Sequence, residues 1–250
     1  MRSEATVRWV DVSLPLGPHT PAFPGDPPVE LAPVTRMDRG GPYALSRLTL
    51  GTHAGTHLDP PRHFFPDAPG VDRIDPDLLI GPAVVVEVAD EVSVIGPAEV
   101  DAAPRGTVRL LFRTRNSARW AAGAGFFPDF VALSLAGADR AVARGVRLVG
   151  VDALSVESGG EPRYPVHRRL LAAGIAIVEG LVLDAVPPGP CEFACLPLRL
   201  VDGDGGPARA LVARPAGAPR ASPARRAGAG SGSRPRSDSR RRTSRSATGR

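Results

Sequence analysis

Residues 147–179 constrain the fold more than any other stretch. Residues 147–151, Arg-Leu-Val-Gly-Val, form a short apolar run that stops at Asp152. Residues 164–173 carry apolar side chains at helical spacing, and Gly174 follows as a residue suited to a left-handed helix cap. Residues 175–178, Ile-Ala-Ile-Val, form a second apolar run that stops at Glu179. Runs this short, rich in branched side chains, fit buried strands better than helices. A strand, a loop, a helix and a strand in that order read as a parallel crossover, so the spacing predicts an α/β fold.

Other segments add strands to this unit. Residues 7–14, 83–88 and 108–114 read as strands, and 43–50 as the strand that delivers a histidine-rich segment. Residues 192–200 read as a last long strand with 208–213 beside it, and 134–144 as a helix ended by Gly145. Residues 15–28 are proline-rich and turn at Phe23-Pro24-Gly25-Asp26, so they lie on the surface or over a pocket. Residues 67–70 form another turn and 121–125 a loop. An apolar share of 42% is enough for a folded domain over residues 1–213.

After Ala213 the composition changes. Residues 214–250 hold 11 Arg against the single acid Asp238, whereas residues 1–213 hold 20 Arg against 25 acids. The net charge of +5 therefore divides into an acidic body and a basic tail. The tail, with almost no large apolar residues, is expected to be disordered and dispensable. An acidic body argues against specific nucleic-acid binding. Cys191 and Cys195 read as two small buried hydrophobes rather than a disulfide or metal pair. No secretory apolar region is seen near Met1, and no apolar run approaches the ~20 residues of a membrane span. The expectation is a cytoplasmic protein with no membrane partner.

Three of the five histidines fall within residues 51–63, Gly-Thr-His-Ala-Gly-Thr-His-Leu-Asp-Pro-Pro-Arg-His. His53, His57, Asp59 and His63 follow the pattern H-x3-H-x-D-x3-H. Imidazoles with a carboxylate suit Zn²⁺, or Mn²⁺ or Fe²⁺ where oxygen ligands dominate. A helical turn would align His53 with His57, and an extended chain would align His57 with Asp59. The glycines and prolines here disfavour a long helix, so a strand end running into a tight turn is predicted. Glu179, in an apolar strand, is a carboxylate that needs a partner or a metal. His167 lies in the first turn of the preceding helix. A simple crossover is expected to put it at the opposite edge from Glu179 unless the loop 153–163 folds over the site. Phe23 is either an anchor for its loop or a wall of a substrate pocket.

The histidine run resembles the signature of the cyclase-type metal hydrolases, the family of bacterial kynurenine formamidase and isatin hydrolase. The similarity continues at Phe23-Pro24-Gly25-Asp26, Leu148-Val-Gly-Val-Asp152, Glu179-Gly-Leu, Val186-Pro-Pro-Gly189 and Leu196-Pro-Leu. It spans nearly all of residues 7–213. The resemblance implies a swivelling β/β/α-type domain with a central mixed sheet or partial barrel, assembled as a homodimer or higher oligomer. It implies two zinc ions per subunit, with Mn²⁺ as the alternative. His53, His57 and Asp59 would hold one ion, and Asp59, His167 and Glu179 the second, with both carboxylates bridging. His63 would be the general acid/base. This chain has Phe23 where formamidases carry a tryptophan, and Glu161-Pro-Arg-Tyr-Pro-Val-His167 where they carry a Ser-Lys pair before the second metal histidine.

The activity implied is hydrolysis of an amide C–N bond in a small molecule. Arylformamidase, which converts N-formylkynurenine to kynurenine and formate, stands first. A sibling hydrolase for another cyclic amide or lactone is the alternative. A metal-binding or ligand-binding protein without catalysis is a further reading, but such a protein would have no need of His63.

Overall fold

The computed structural model describes residues 8–123, 125–159 and 163–214, so the expected disordered tail lies outside the described residues from position 215 onward. The predicted crossover is present. Strands β9 (Leu148–Val151) and β10 (Ala176–Glu179) are parallel neighbours. The chain-order strands before them are β1 (Arg8–Asp11), β2 (Glu30–Thr35), β3 (Leu45–Thr49), β4 (His57–Asp59), β5 (Ile80–Glu87), β6 (Val94–Ile95), β7 (Arg109–Arg113) and β8 (Ala132–Leu133). After them come β11 (Gly189–Pro197) and β12 (Gly206–Arg214). The helices are α1 (Pro76–Leu79), α2 (Pro97–Asp101), α3 (Asn116–Ala121), α4 (Leu135–Ala143) and α5 (Pro165–Ala172).

The main sheet runs β1-β12-β11-β5-β7-β9-β10-β4, and β4 returns to pair with β12 at Gly206 and Pro207. Seven strands thus close into a barrel, and β1 extends it beside the far end of β12. Strands β5, β7, β9 and β10 are parallel, while β4, β11 and β12 join antiparallel. The sheet is mixed and barrel-like, as the resemblance implied. Closure leaves the barrel strands without a free edge.

Side chains alternate between two cores. Leu58, Val85, Leu111, Leu148, Val178, Phe193 and Val212 fill the barrel interior. Val86, Leu110, Phe112, Val149, Val151 and Ile177, one residue along on the same strands, pack outward against α4 and α5. The parallel strands are buried on both faces, which explains why they read as continuous apolar runs. Ser134 caps α4 by accepting from the Gly137 N–H at 3.0 Å, and Gly174, at φ +72°, ends the turn after α5.

Two expectations need correction. Helix α5 does not begin at the edge opposite Glu179. A crossover helix runs back against the parallel strands it joins, so its N-terminus lies at their carboxyl edge, beside Glu179. The strand expected over 43–50 exists as β3, but it does not join the barrel. Among the described residues it pairs only with β2, in a separate two-stranded ribbon interrupted by a bulge between Pro33 and Thr35. Helices α1, α2 and α3, of four to six residues, are too short to leave a readable period.

Candidate metal centre

Strand β4 positions the first part of the site by alternation alone. His57 and Asp59 point to the helix-covered face, and Leu58 between them fills the barrel interior. In the register with β10, Glu179 lies opposite His57 and Val178 opposite Leu58. Glu179 therefore joins His57 and Asp59 on one face. A one-residue slip of β4 would turn His57 and Asp59 to the face away from Glu179. The chain passes from β10 into Gly180, whose φ is +70°, and a Cβ there would lie 2.4 Å from the Gly55 carbonyl oxygen. Only glycine allows the histidine loop and the end of β10 to meet so closely. The histidine segment does run from a strand end into a tight turn, and a further turn precedes the strand. Residues 51–56 turn, His57–Asp59 is extended, and Pro61–His63 is a single 3-10 turn.

The ligand-type atoms converge on a buried floor. His57 Nε2 is 3.4 Å from Asp59 Oδ1 and 3.3 Å from Glu179 Oε2. His167 Nε2 is 3.2 Å from Glu179 Oε1 and 3.9 Å from Asp59 Oδ2. His53 Nδ1 is 2.9 Å from Asp59 Oδ1. His57, Asp59, His167 and Glu179 are each at most 4% exposed. The described part of the loop that follows β9, residues 153–159, also reaches the site: the Val156 N–H donates to Glu179 Oε1 at 2.5 Å. Asp152 anchors the start of that loop. Its buried carboxylate accepts from the N–H and hydroxyl groups of Thr114 and Ser117 at 2.7 to 3.2 Å.

Hydrogen-bond partners fix how the imidazoles face this floor. His57 Nδ1 lies 2.9 Å from the Gly55 carbonyl oxygen, an acceptor, so Nδ1 carries the hydrogen. The other nitrogen of a neutral ring then has only a lone pair, and it faces two carboxylate oxygens. His167 repeats the arrangement, with Nδ1 on Glu157 Oε2 at 3.0 Å and Nε2 on Glu179. Acceptors facing acceptors in a buried site need a cation between them, a proton or a metal ion. The titration behaviour expresses the proton's version of this need. Burial opposes charge on His167, but Glu157 and Glu179 outweigh it and lift its pKa to about 10. Burial is likewise overcome at His57 by Asp59 and Glu179, and its pKa lies well above the usual range. Burial would raise Asp59, yet His53 and His57 hold it well below the usual carboxylate range.

A metal ion fits the same place. A tetrahedral ion with bonds of about 2.0–2.2 Å sets its ligand atoms about 3.3–3.6 Å apart, close to the separations here. Asp59 Oδ2 and His53 Nε2 are buried atoms with no hydrogen-bond partner among the described residues. Ligand atoms also cluster within 4.8 Å of one another in three sets: His53-His57-Asp59, Asp59-His63-His167, and His53-His63-Asp204.

Above the floor lies a cavity of about 340 Å³. His53, His57, His63, His167 and Glu179 line its base, and Phe23, Phe64, Tyr164, Pro21, Leu154, Ser155 and Asp26 its walls. Phe23 has both roles considered from the sequence: it lines the cavity and packs edge-on against Phe126, with ring centroids 5.3 Å apart. Phe65 is not among the lining residues, whereas Phe64 is. His63 stacks at 4.0 Å between centroids with His53, and burial pushes its pKa down against the pull of Asp59. Glu157, Asp204, Tyr164 and Ser155 escaped the sequence reading. Glu157 alone left a trace, as an acid between two apolar segments. Cys191 and Cys195 are buried free thiols on β11, and burial raises them to about 11 and about 12. A larger groove of about 680 Å³, walled by Pro82, Val84, Val108 and Pro190, contains no histidine.

Barrel and floor together define an α/β scaffold with a histidine–carboxylate cluster capable of holding a metal ion. Residues 10–158 match the model of the Cyclase family, and the chain belongs to that family. It is similar to a solved potential metal-dependent hydrolase with cyclase activity, at 28% identity over 83% of this chain and 98% of the other, with a TM-score of 0.72. A predicted metal-dependent hydrolase from Bacillus stearothermophilus matches at 28% identity over 84% and 99%, with a TM-score of 0.72. An isatin hydrolase bound to the product analogue thioisatinate matches at 26% identity over 84% and 93%, with a TM-score of 0.74.

Proposed function

We propose that the protein is a metal-dependent hydrolase that opens the C–N bond of a small aromatic amide, with a cyclic amide of the isatin type as the best substrate. The observation that carries this reading is the floor itself, where two imidazole lone pairs face two buried carboxylates beneath an aromatic-walled cavity. His53, His57 and Asp59 would hold one ion, and Asp59, Glu179 and His167 a second, with zinc favoured by the nitrogen ligands and Mn²⁺ as the alternative. Such ions supply a water acidified to near neutral pH and a polarised carbonyl.

The chain's own residues do the rest. Phe23 and Phe64 hold the aromatic ring and exclude water. His63 is neutral at pH 7 because burial lowers its pKa, so it can take the proton of the attacking water. As the C–N bond breaks, His63 returns that proton to the leaving nitrogen. A carboxylic acid and an amine result, on one molecule for a cyclic substrate.

Arylformamidase activity is the second reading. It is favoured less because N-formylkynurenine carries an amino-acid carboxylate, and among the described residues lining the cavity none is an arginine, while Asp26 is present. Turnover of the purified full chain should be measured on isatin, N-formylkynurenine and a simple lactone, with Zn²⁺ or Mn²⁺ added back. Faster hydrolysis of isatin is expected. Preference for N-formylkynurenine would reverse the order, and no turnover of any amide would overturn the proposal.

We also propose that the protein works as a homo-oligomer. The β2–β3 ribbon supports this, because an isolated two-stranded ribbon is marginal in water. It exposes Leu31, Val34, Leu45 and Leu48. Sedimentation should show a dimer or larger, and Leu31→Lys with Leu48→Lys should shift it to monomer. A monomeric wild type would contradict the proposal.

A further inference from the structure

Glu157 is a buried carboxylate to which neither the sequence reading nor the family comparison gives a role. It is 4% exposed, and no arginine pairs with it among the contacts of the described residues. Its Oε2 lies 3.0 Å from His167 Nδ1. Its Oε1 accepts from the Val166 N–H at 3.2 Å, and Oε2 lies 3.5 Å from the His167 N–H. These are N–H groups of the first turn of α5, which have no partner inside the helix. Tyr164, the residue before α5, sits in the left-handed region at φ 48° and offers no side-chain cap. One carboxylate thus does the work of a missing cap and grips the ring of the third helical residue.

The same short segment also holds the opposite side of the site. Ser155 Oγ accepts from the Glu157 N–H at 3.1 Å, and the Val156 N–H binds Glu179 Oε1. Ser155-Val156-Glu157 therefore fixes the relative positions of Glu179 and His167. His57 shows the same plan in simpler form, with the Gly55 carbonyl on its outer nitrogen. An imidazole held by an acceptor on one nitrogen presents the other in a set tautomer and orientation, and becomes a stronger ligand.

We infer that Glu157 is a positioning residue for the metal centre: it fixes His167 with Nε2 directed at the Asp59–Glu179 pair, and so sets affinity for the ion on that side. The inference rests on the metal-centre reading above. Glu157 touches neither the substrate cavity nor the reacting atoms, so its effect must pass through His167.

The test is titration of the metal-free full chain with Zn²⁺ alone, and separately with Mn²⁺ alone, by calorimetry against a competing chelator. Wild type, Glu157→Ala and Glu157→Gln are compared. Wild type should bind, and Glu157→Ala should lose about 10- to 100-fold in affinity at one site, the usual cost of removing such a partner. Glu157→Gln, which keeps the shape and an acceptor oxygen, should lose less. Nitrogen NMR should show the His167 ring losing its single tautomer in Glu157→Ala. A purely structural cap would lower the melting temperature of the metal-free variants and leave affinity and tautomer unchanged, which would overturn the inference. Should Glu157→Ala fail to fold, Glu157→Gln decides: wild-type affinity and an unchanged His167 signal would overturn it. A wild-type chain that binds neither metal would refute the metal-centre reading instead.

Discussion

The floor and the mouth of the site are built by different means. His57, Asp59, His167, Glu179 and Glu157 are buried, and they sit on paired strands, at a helix N-terminus and in one loop clasped to both. Phe23, Asp26, His63, Phe64, Tyr164 and Asp204 lie on turns and loops, and Tyr164 and Asp204 are well exposed, while His53 reaches from its turn to Asp59 and belongs with the floor. Register and close packing leave the floor little freedom. The mouth is held by ring contacts among Phe23, Phe126, His63, Phe64 and Tyr164 rather than by strand register. Gly205 marks the seam, since a Cβ there would lie 2.6 Å from the His53 ring.

The largest effect should come from breaking the floor. Asp59→Ala removes the carboxylate shared by His53, His57 and His167. Turnover should fall to background and metal content should drop, a loss beyond the about 10- to 100-fold that even outer partners cost. Metal analysis and turnover of one preparation check this, and retained metal would show that Asp59 is no ligand. His63→Ala sharpens the boundary between the regions. If His63 belongs to the mouth as general acid/base, metal stays and turnover falls by about 10²- to 10⁴-fold. If it belongs to the floor, as its closeness to Asp59 and His167 allows, the ion is lost.

Phe23→Ala tests the mouth alone. It should cost kcat/KM about tenfold, the scale of about 1–3 kcal/mol for a lost apolar contact, with unchanged metal content. A change in metal content would join Phe23 to the floor. The smallest effect concerns pH in the metal-free protein. Folding lifts His167 from its ordinary 6.5 to about 10, so its contribution to stability is complete below about pH 6.5 and is lost as pH rises toward 10. Melting temperatures of chelator-treated protein should fall over that range, and bound metal, which replaces the proton, should flatten the curve. A rise in melting temperature between pH 7 and 10 would contradict the charge assignment.

How far the sequence could be read follows the same division. The crossover from β9 to β10 was legible because both strands are buried on two faces and bounded by an acid and a glycine. His53, His57, Asp59 and His63 were legible because histidine is scarce elsewhere. Glu179 was legible as an acid inside an apolar strand, whereas His167 was assigned to the site by resemblance, and the sequence geometry set the two at opposite edges; helix direction corrects this. Glu157 was missed because one acid in a loop has no period and no pattern, and its meaning lies in contacts made ten residues away. The β2 strand was missed because Pro33 and a bulge blur its alternation.

The central claim is that the floor binds a divalent cation on which hydrolysis depends. The most direct measurement is turnover of an aromatic amide by the purified full chain before chelation, after it, and after Zn²⁺ or Mn²⁺ is returned, with metal content determined at each stage. Activity that vanishes with the metal and returns with it, at one or two ions per chain, is the predicted result. Undiminished activity in metal-free protein, or a chain that takes up no ion, would contradict the account.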